Sequence, residues 1–242
     1  MSPTDTANEL LKVRIWRGRE QGRLVDYEIE TRKNQTVLDV VTEIQHRLEP
    51  TLAYRFACRV GVCGSCAMTV NGRPRWACRT HIKNVVTDNT LTIEPLRNLP
   101  KLKDLVCDMA PFIETWQKAG APFSGTATRH DKPAAVKPDS AMRLAADAAL
   151  QCINCAVCYS ACDVVNWNPD YIGPAGLNRA WTLINDVRHS KRELTFELAF
   201  GTGGCGSCHS HGNCTRHCPV ELRPSESIAG LKRAAFSGLP EE

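Results

Sequence analysis

The densest run of reactive side chains is CINCAVCYSAC, in which Cys152, Cys155, Cys158 and Cys162 are separated by two, two and three residues. A C-x2-C-x2-C-x3-C run wraps a compact loop around a cube of iron and sulfide, and its fourth thiolate points away toward another cluster. A partner motif lies near the C-terminus in CHSHGNCTRHCP, where Cys208, Cys214 and Cys218 occupy three positions of the same frame and His211 stands where the second cysteine would be. Two such half-motifs interlock. Spacing therefore gives Cys152, Cys155 and Cys158 the fourth ligand Cys218, and leaves Cys162, Cys208 and Cys214 around a second centre with only three thiolates. The chemistry this serves is electron transfer.

A third set stands earlier, in CRVGVCGSC. Cys58, Cys63 and Cys66, with the distant Cys78, follow the plant-type ferredoxin spacing for a [2Fe-2S] centre. Gly61 and Gly64 suit a loop whose backbone N–H groups must turn toward anionic sulfur at close range. The competing chemistry is zinc, because C-x2-C is a common zinc half-knuckle. Zinc ligands usually come as two close pairs, whereas three cysteines crowded into one glycine-rich loop suit a flat two-iron core.

Composition bounds these readings. The chain has 242 residues, 43% hydrophobic content and 13 cysteines. That length favours two domains, each with an ordinary buried core. A disulfide scaffold would need a small secreted chain, and MSPTDTANEL lacks a basic segment followed by an apolar one, so the expected setting is a reducing compartment. No run approaches the roughly 18 apolar residues of a membrane span, so membrane contact is expected through another chain. The formal charge of +4 resides in residues 1–99, where 15 Lys and Arg face 11 acids. That excess is poor evidence for nucleic acid. Three bound clusters, at about −2 each with their thiolates, would bring the total to roughly −2, so the basic residues read as compensation for buried anions.

The elements that must position the thiols follow from periodicity. Residues 11–17 and 24–30 alternate with period two about Gly18 and Gly22, which predicts a hairpin. Thr36 is the expected N-cap of a helix with Val37, Val40, Val41, Ile44 and Leu48 on one face, ended by Pro50. After the cysteine loop, an Asn71-Gly72 turn joins two extended segments, and short strands are expected at 85–86 and 91–93. Lys103 to Lys118 reads as one helix bent or divided at Pro111, with Cys107 as a small buried hydrophobe inside it. Residues 120–138 read as surface loop. Further helices are expected at 140–150, 175–187, 193–200 and 225–236. The expected fold class is α+β, an N-terminal plant-type ferredoxin-like (β-grasp) domain at 1–99, a linking helix and loop at 100–138, and an all-α bacterial-ferredoxin-like domain at 139–242.

CRVGVCGSC, CINCAVCYSAC, WNPDYIGPAGL and CHSHGNCTRHCP, in that order over most of the chain, resemble the iron–sulfur subunit of the succinate dehydrogenase and fumarate reductase family. The resemblance implies an electron carrier with [2Fe-2S], [4Fe-4S] and [3Fe-4S] clusters in line. It further implies a partner flavoprotein with FAD that performs the dicarboxylate chemistry, a membrane-anchor partner, a quinone near the three-thiolate centre, and a place at the cytoplasmic face of the inner membrane. Trp167 and His209 match positions at the quinone pocket in relatives of the enterobacterial type. Packing that excludes water is the other reading of Trp167, and an exposed or satisfied histidine that of His209. The resemblance makes Cys208 the ligand and Cys205 a bystander thiol, and leaves His211 a neighbour of the third centre. One departure is visible: Asp163 follows Cys162 where the family usually has proline, while Pro219 does follow Cys218. A zinc-stabilised binding module and the soluble subunits of heterodisulfide or glycolate-oxidising systems are the competing classes.

Overall fold

The computed structural model describes residues 10–240 and divides into two compact units, Met1–Asp108 and Met109–Glu242. In the first unit, strands β1 (Leu10–Arg17) and β2 (Arg23–Glu30) form the expected antiparallel hairpin. Strands β3 (Ala67–Val70), β4 (Arg73–Trp76) and β5 (Thr90–Glu94) complete a five-stranded sheet in the order β2-β1-β5-β3-β4, with β5 parallel to β1 and antiparallel to β3. Leu11, Val13 and Ile15 of β1 are fully buried, as period-two alternation requires. They pack with Val37, Val40, Val41 and Ile44 of helix α1 (Val37–Arg47). Thr36 closes a capping box with Asp39, an arrangement worth about 1 kcal/mol. Leu48 departs from the expected apolar face: it is the C-cap and half exposed.

Two other expectations are corrected. Val85 ends a 3-10 turn at Ile82–Asn84 and forms no strand with Val86, because the chain bends there before β5. Residues 103–118 are not one helix: β6 (Lys101–Lys103) and β7 (Val106–Cys107) form a small ladder, and helix α2 runs only over Ala110–Lys118. Pro111 opens α2 rather than bending it, since its missing N–H costs nothing in the first turn. Cys107 therefore lies on a strand, buried, with its thiol directed at the Leu96 carbonyl.

Asp104, between β6 and β7, is 1% exposed and accepts from Arg17 Nε at 3.0 Å, Gly18 N at 2.8 Å and Ala53 N at 2.9 Å. One carboxylate thus ties the β1–β2 turn to the chain that leads into the cysteine loop.

The second unit is helical: α3 (Ala141–Ala146), α4 (Val157–Ser160), α5 (Asp163–Trp167), α6 (Gly173–Ile184), α7 (Arg192–Phe200), α8 (Asn213–Arg216) and α9 (Pro224–Ser237). Ser140 caps α3, but the α-helix stops at Ala146 and a 3-10 turn carries the chain to Ala149. Helix α6, which ends short of the expected Val187, is buried on nearly every side and packs against α2, α3, α4, α7 and α9. Gly230 of α9 lets that helix approach α6, because a Cβ there would lie 2.8 Å from the Trp181 ring.

Replacing Asp104 with Ala leaves the mostly buried Arg17 guanidinium without one of its partners and frees two backbone N–H groups. We expect a loss of about 3 kcal/mol of stability, read as a lower denaturant midpoint with an unchanged slope.

Candidate metal centres

In the first unit, hairpin register brings two cysteines together. Ala67 pairs with Trp76 across β3 and β4, so Cys66 and Cys78 emerge side by side, and the Cys78 N–H lies 3.5 Å from the Cys66 sulfur. The register is held from the far end. Asn71 and Gly72 both adopt positive φ, and the Asn71 side chain donates to the Val85 carbonyl at 2.6 Å and accepts from Thr92 N–H at 2.7 Å.

The other two thiols sit in the loop before β3. The Val62 N–H reaches the Cys58 sulfur at 3.4 Å, and the Cys58 N–H reaches the Cys63 sulfur at 3.5 Å. Gly61 has φ +79°, and a Cβ there would press on Trp76 and Arg79 at about 3 Å. Only glycine meets both conditions. These N–H donors lower the Cys58 thiol from 9.0 to about 6, the Val62 N–H most, then the Cys63 side chain and the Val60 N–H. Cys78 moves the other way, to about 12, pushed up by burial first and then by Cys66. Such a loop is a nest of donors aimed at anionic sulfur.

In the second unit seven of the eight thiols sort into two groups, with Cys205 apart. Cys152, Cys155, Cys158 and Cys218 line one pocket with apolar neighbours that include Phe112, Ala175 and Leu222. Burial raises the thiols of Cys152, Cys155 and Cys158, Cys155 to about 12, and in each the charge of Cys218 adds to the rise. Left-handed residues Asn154 and Ala156 coil the chain so that these side chains converge.

Cys162, Cys208 and Cys214 form the other group. Burial pushes Cys214 up to about 11, with Cys162 and Cys208 adding to the shift, and Cys162 is raised by burial with Cys208 contributing. The buried Tyr171 belongs with them. Its hydroxyl bonds toward Cys208, and its pKa is raised by burial and by all three thiols. Tyr171 is held in place where Ile172 N–H bonds to the Gly203 carbonyl at 2.9 Å. In the WNPDYIGPAGL segment the one local mark of this residue is an aromatic hydroxyl two residues before a Gly-Pro helix start.

Among the described residues no three His, Cys, Asp or Glu side chains converge tightly enough to hold a single ion. Zinc would draw its sulfurs to ~2.3 Å from one centre, which no set of these thiols approaches. The donor chemistry fits as well, being all sulfur, with N–H groups directed at it and no carboxylate lining the four-thiol pocket.

Trp167, His209 and His211 gather at the surface. Trp167 is 56% exposed, its ring meets those of His209 and His211 edge-on at 5.8 and 6.3 Å, and the two imidazoles stack at 6.0 Å. Cys205 is buried in a 3-10 turn, Cys205–Ser207, that leads into Cys208.

An α+β chain whose cysteines gather in sets of four, four and three defines an iron–sulfur protein. Residues 11–114 match the family described as "2Fe-2S iron-sulfur cluster binding domain", and residues 151–223 match "4Fe-4S dicluster domain". The fumarate reductase iron-sulfur subunit of Haemophilus influenzae is 32% identical over 86% of this chain and 85% of its own length. The mitochondrial succinate dehydrogenase [ubiquinone] iron-sulfur subunit 1 of Oryza sativa is 34% identical over 87% of this chain and 75% of its own. A chain of the Mycobacterium smegmatis Sdh1 complex, solved in the apo form, superposes with a TM-score of 0.83 at 28% identity, covering 97% of this chain and 99% of that one. The chain belongs to the family of iron–sulfur subunits of fumarate reductase and succinate dehydrogenase, and its role is electron relay.

In the cluster-free protein the depressed Cys58 thiol is mostly thiolate at pH 7. The stabilisation it contributes is complete above pH 9 and is lost as pH falls through 6. Alkylation with iodoacetamide at neutral pH should therefore label Cys58 well before Cys78, with a pH midpoint near 6 for Cys58, as resolved by mass spectrometry.

Proposed function

We propose that this chain relays electrons between a flavin-containing, dicarboxylate-oxidoreducing subunit and a quinone site in the membrane, as part of a succinate:quinone or quinol:fumarate oxidoreductase. Cys58, Cys63, Cys66 and Cys78 would hold a [2Fe-2S] cluster in a plant-type ferredoxin-like (β-grasp) domain. Cys152, Cys155, Cys158 and Cys218 would hold a [4Fe-4S] cluster, and Cys162, Cys208 and Cys214 a [3Fe-4S] cluster, in a bacterial-ferredoxin-like domain. The first domain would span residues 1–99 and the second 139–242, with 100–138 linking them.

The observation that carries this reading is the crossed sorting of thiols. Cys218 keeps company with Cys152, Cys155 and Cys158, while Cys162 joins Cys208 and Cys214. When bound, iron–sulfur clusters supply one-electron transfer at potentials that span roughly −700 to +450 mV. The chain's own residues set where in that range each site works. Val62 and Ser210 offer N–H groups to the sulfurs of Cys58 and Cys208, which favours added negative charge. Phe112, Ala175 and Leu222 keep water from the four-thiol pocket.

The dicarboxylate chemistry falls to a flavoprotein partner carrying FAD. Quinone would meet the chain at the exposed Trp167 and His209, near the three-thiol set, where an indole N–H and an imidazole can donate to a carbonyl oxygen. The chain would attach at the cytoplasmic face of the inner membrane through an anchor subunit; among the described residues no helix is long and apolar enough to cross a membrane. His211 would stay unligated, its ring engaged with Trp167 and His209.

Paramagnetic resonance on three variants tests the assignment. Cys63→Ser should weaken only the [2Fe-2S] signal, whereas Cys218→Ala should remove the [4Fe-4S] signal and destabilise the second unit, because cluster binding there is folding free energy. Full [4Fe-4S] content in Cys218→Ala would sink the crossed ligation. His211→Ala should keep the oxidised three-iron signal; its disappearance would make His211 a ligand.

A further inference from the structure

Asn178 is an amide where an aliphatic side chain would fill the same space. It stands on α6 in the lining of the four-thiol pocket and is 1% exposed. Its Oδ1 is sealed from solvent, with no hydrogen-bond partner among the described residues. A buried orphan oxygen costs stability, a cost that the bond made by the amide nitrogen can offset. Nδ2 donates to the Ala148 carbonyl at 3.0 Å. Thr182, one turn further along α6 and also 1% exposed, accepts from the Ala149 N–H at 2.9 Å. That carbonyl and that N–H belong to one peptide unit, so two side chains of one helix grip both edges of a single rigid plane.

The gripped peptide lies in the 3-10 turn Asp147–Ala149, just ahead of the cysteine loop. The Ala149 carbonyl in turn accepts from the Cys152 N–H at 3.1 Å. We propose that Asn178 and Thr182 are positioning residues for the four-thiol centre: together they clamp the 148–149 peptide and so fix the direction from which Cys152 presents its sulfur. The inference rests on the assignment of Cys152, Cys155, Cys158 and Cys218 to one centre made above. Cys152 is the member of that set that most needs such a hold. It is the first residue of the motif, and the chain before it reaches α6 through a short helix and a 3-10 turn rather than through a strand ladder. Either bond alone would leave the peptide free to rotate about the other, whereas the pair fixes its plane.

The test follows loss of each centre from the holoprotein to an iron chelator, read by paramagnetic resonance, in Thr182→Val, Thr182→Ser, Asn178→Leu and the Thr182→Val, Asn178→Leu double variant beside the wild type. Thr182→Val keeps the shape and removes the acceptor. We expect it to speed loss of the four-thiol centre roughly fivefold and to alter the line shape of that centre's reduced signal, with the other two centres lost at wild-type rates. Thr182→Ser keeps the hydroxyl and should restore wild-type behaviour. In the double variant the acceleration should fall below the product of the two single effects, because loss of either bond already frees the peptide. Wild-type release and line shape in Thr182→Val overturn the clamp. Equal acceleration at the three-thiol centre overturns it as well, since that would trace the effect to a general loosening of α6. A double effect at or above the product makes the two bonds independent and overturns it too. If Asn178→Leu yields no folded protein, Thr182→Val against Thr182→Ser still decides. Absence of a four-iron signal in the wild type overturns the ligand assignment first, and this inference with it.

Discussion

Thiols from residues 152–162 and from 208–218 must meet in two mixed groups, and neither group can be completed by one segment. That constraint explains the architecture of the second unit. A single cysteine loop can wrap a cluster locally, but crossed ligation needs a scaffold that holds two distant loops face to face. Helix α6 serves as the scaffold. It is buried along nearly its whole length, it contributes Ala175 and Asn178 to the four-thiol pocket, and its Trp181 receives α9 at Gly230. The short helices α4 and α8, four residues each, could not persist alone. They exist because packing, and cluster binding in the holoprotein, fix them.

Collecting thiolates creates an electrostatic problem that the two units solve differently. In the first unit the loop turns N–H groups onto sulfur, and the Cys58 thiol ionises easily. In the second, burial dominates and raises Cys152, Cys155, Cys158 and Cys214, so these side chains would stay protonated without metal. Metal binding must then displace protons there, as it must at the raised Cys78 of the first unit, which couples assembly of both to pH.

The parts of the site that were legible from sequence were those carried by spacing. The Cys58–Cys66 loop, the Asn71-Gly72 hairpin and the grouping of Cys152 with Cys218 follow from short-range geometry or from the requirement that a fourth ligand exist. What escaped was set by tertiary context. The apolar residues at 105–116 suit one helix, but Asp104, with φ +50°, and the first-turn preference of Pro111 break the segment into ladder and helix. Val85-Val86 has strand-forming side chains, yet the 3-10 turn before it and the bridge between Thr87 and Thr90 leave it no ladder partner. Tyr171 and Lys232 reach the three-thiol set only through packing of α6 and α9, which no local pattern encodes.

The three-thiol set differs from the other two in what surrounds it. One side is closed by the buried Tyr171 and by Lys232 on α9; beyond Cys208 the chain emerges into the exposed stretch 209–211, beside Trp167. Electron transfer to a small molecule needs a short approach to the donor and a proton source where charge accumulates. Under the quinone role proposed above, one indole and two imidazoles beside the partly buried set would meet both needs, while Tyr171 and the packing of Ile172 and Ile228 close the inner side. The four-thiol pocket, whose lining beyond the cysteines is mainly aliphatic and aromatic with Asn154 and Asn178, has no ring donor of this kind. Of the two sets, the three-thiol one is thus the one with hydrogen-bonding rings at its edge, which is where exchange with a partner molecule would fall under that role.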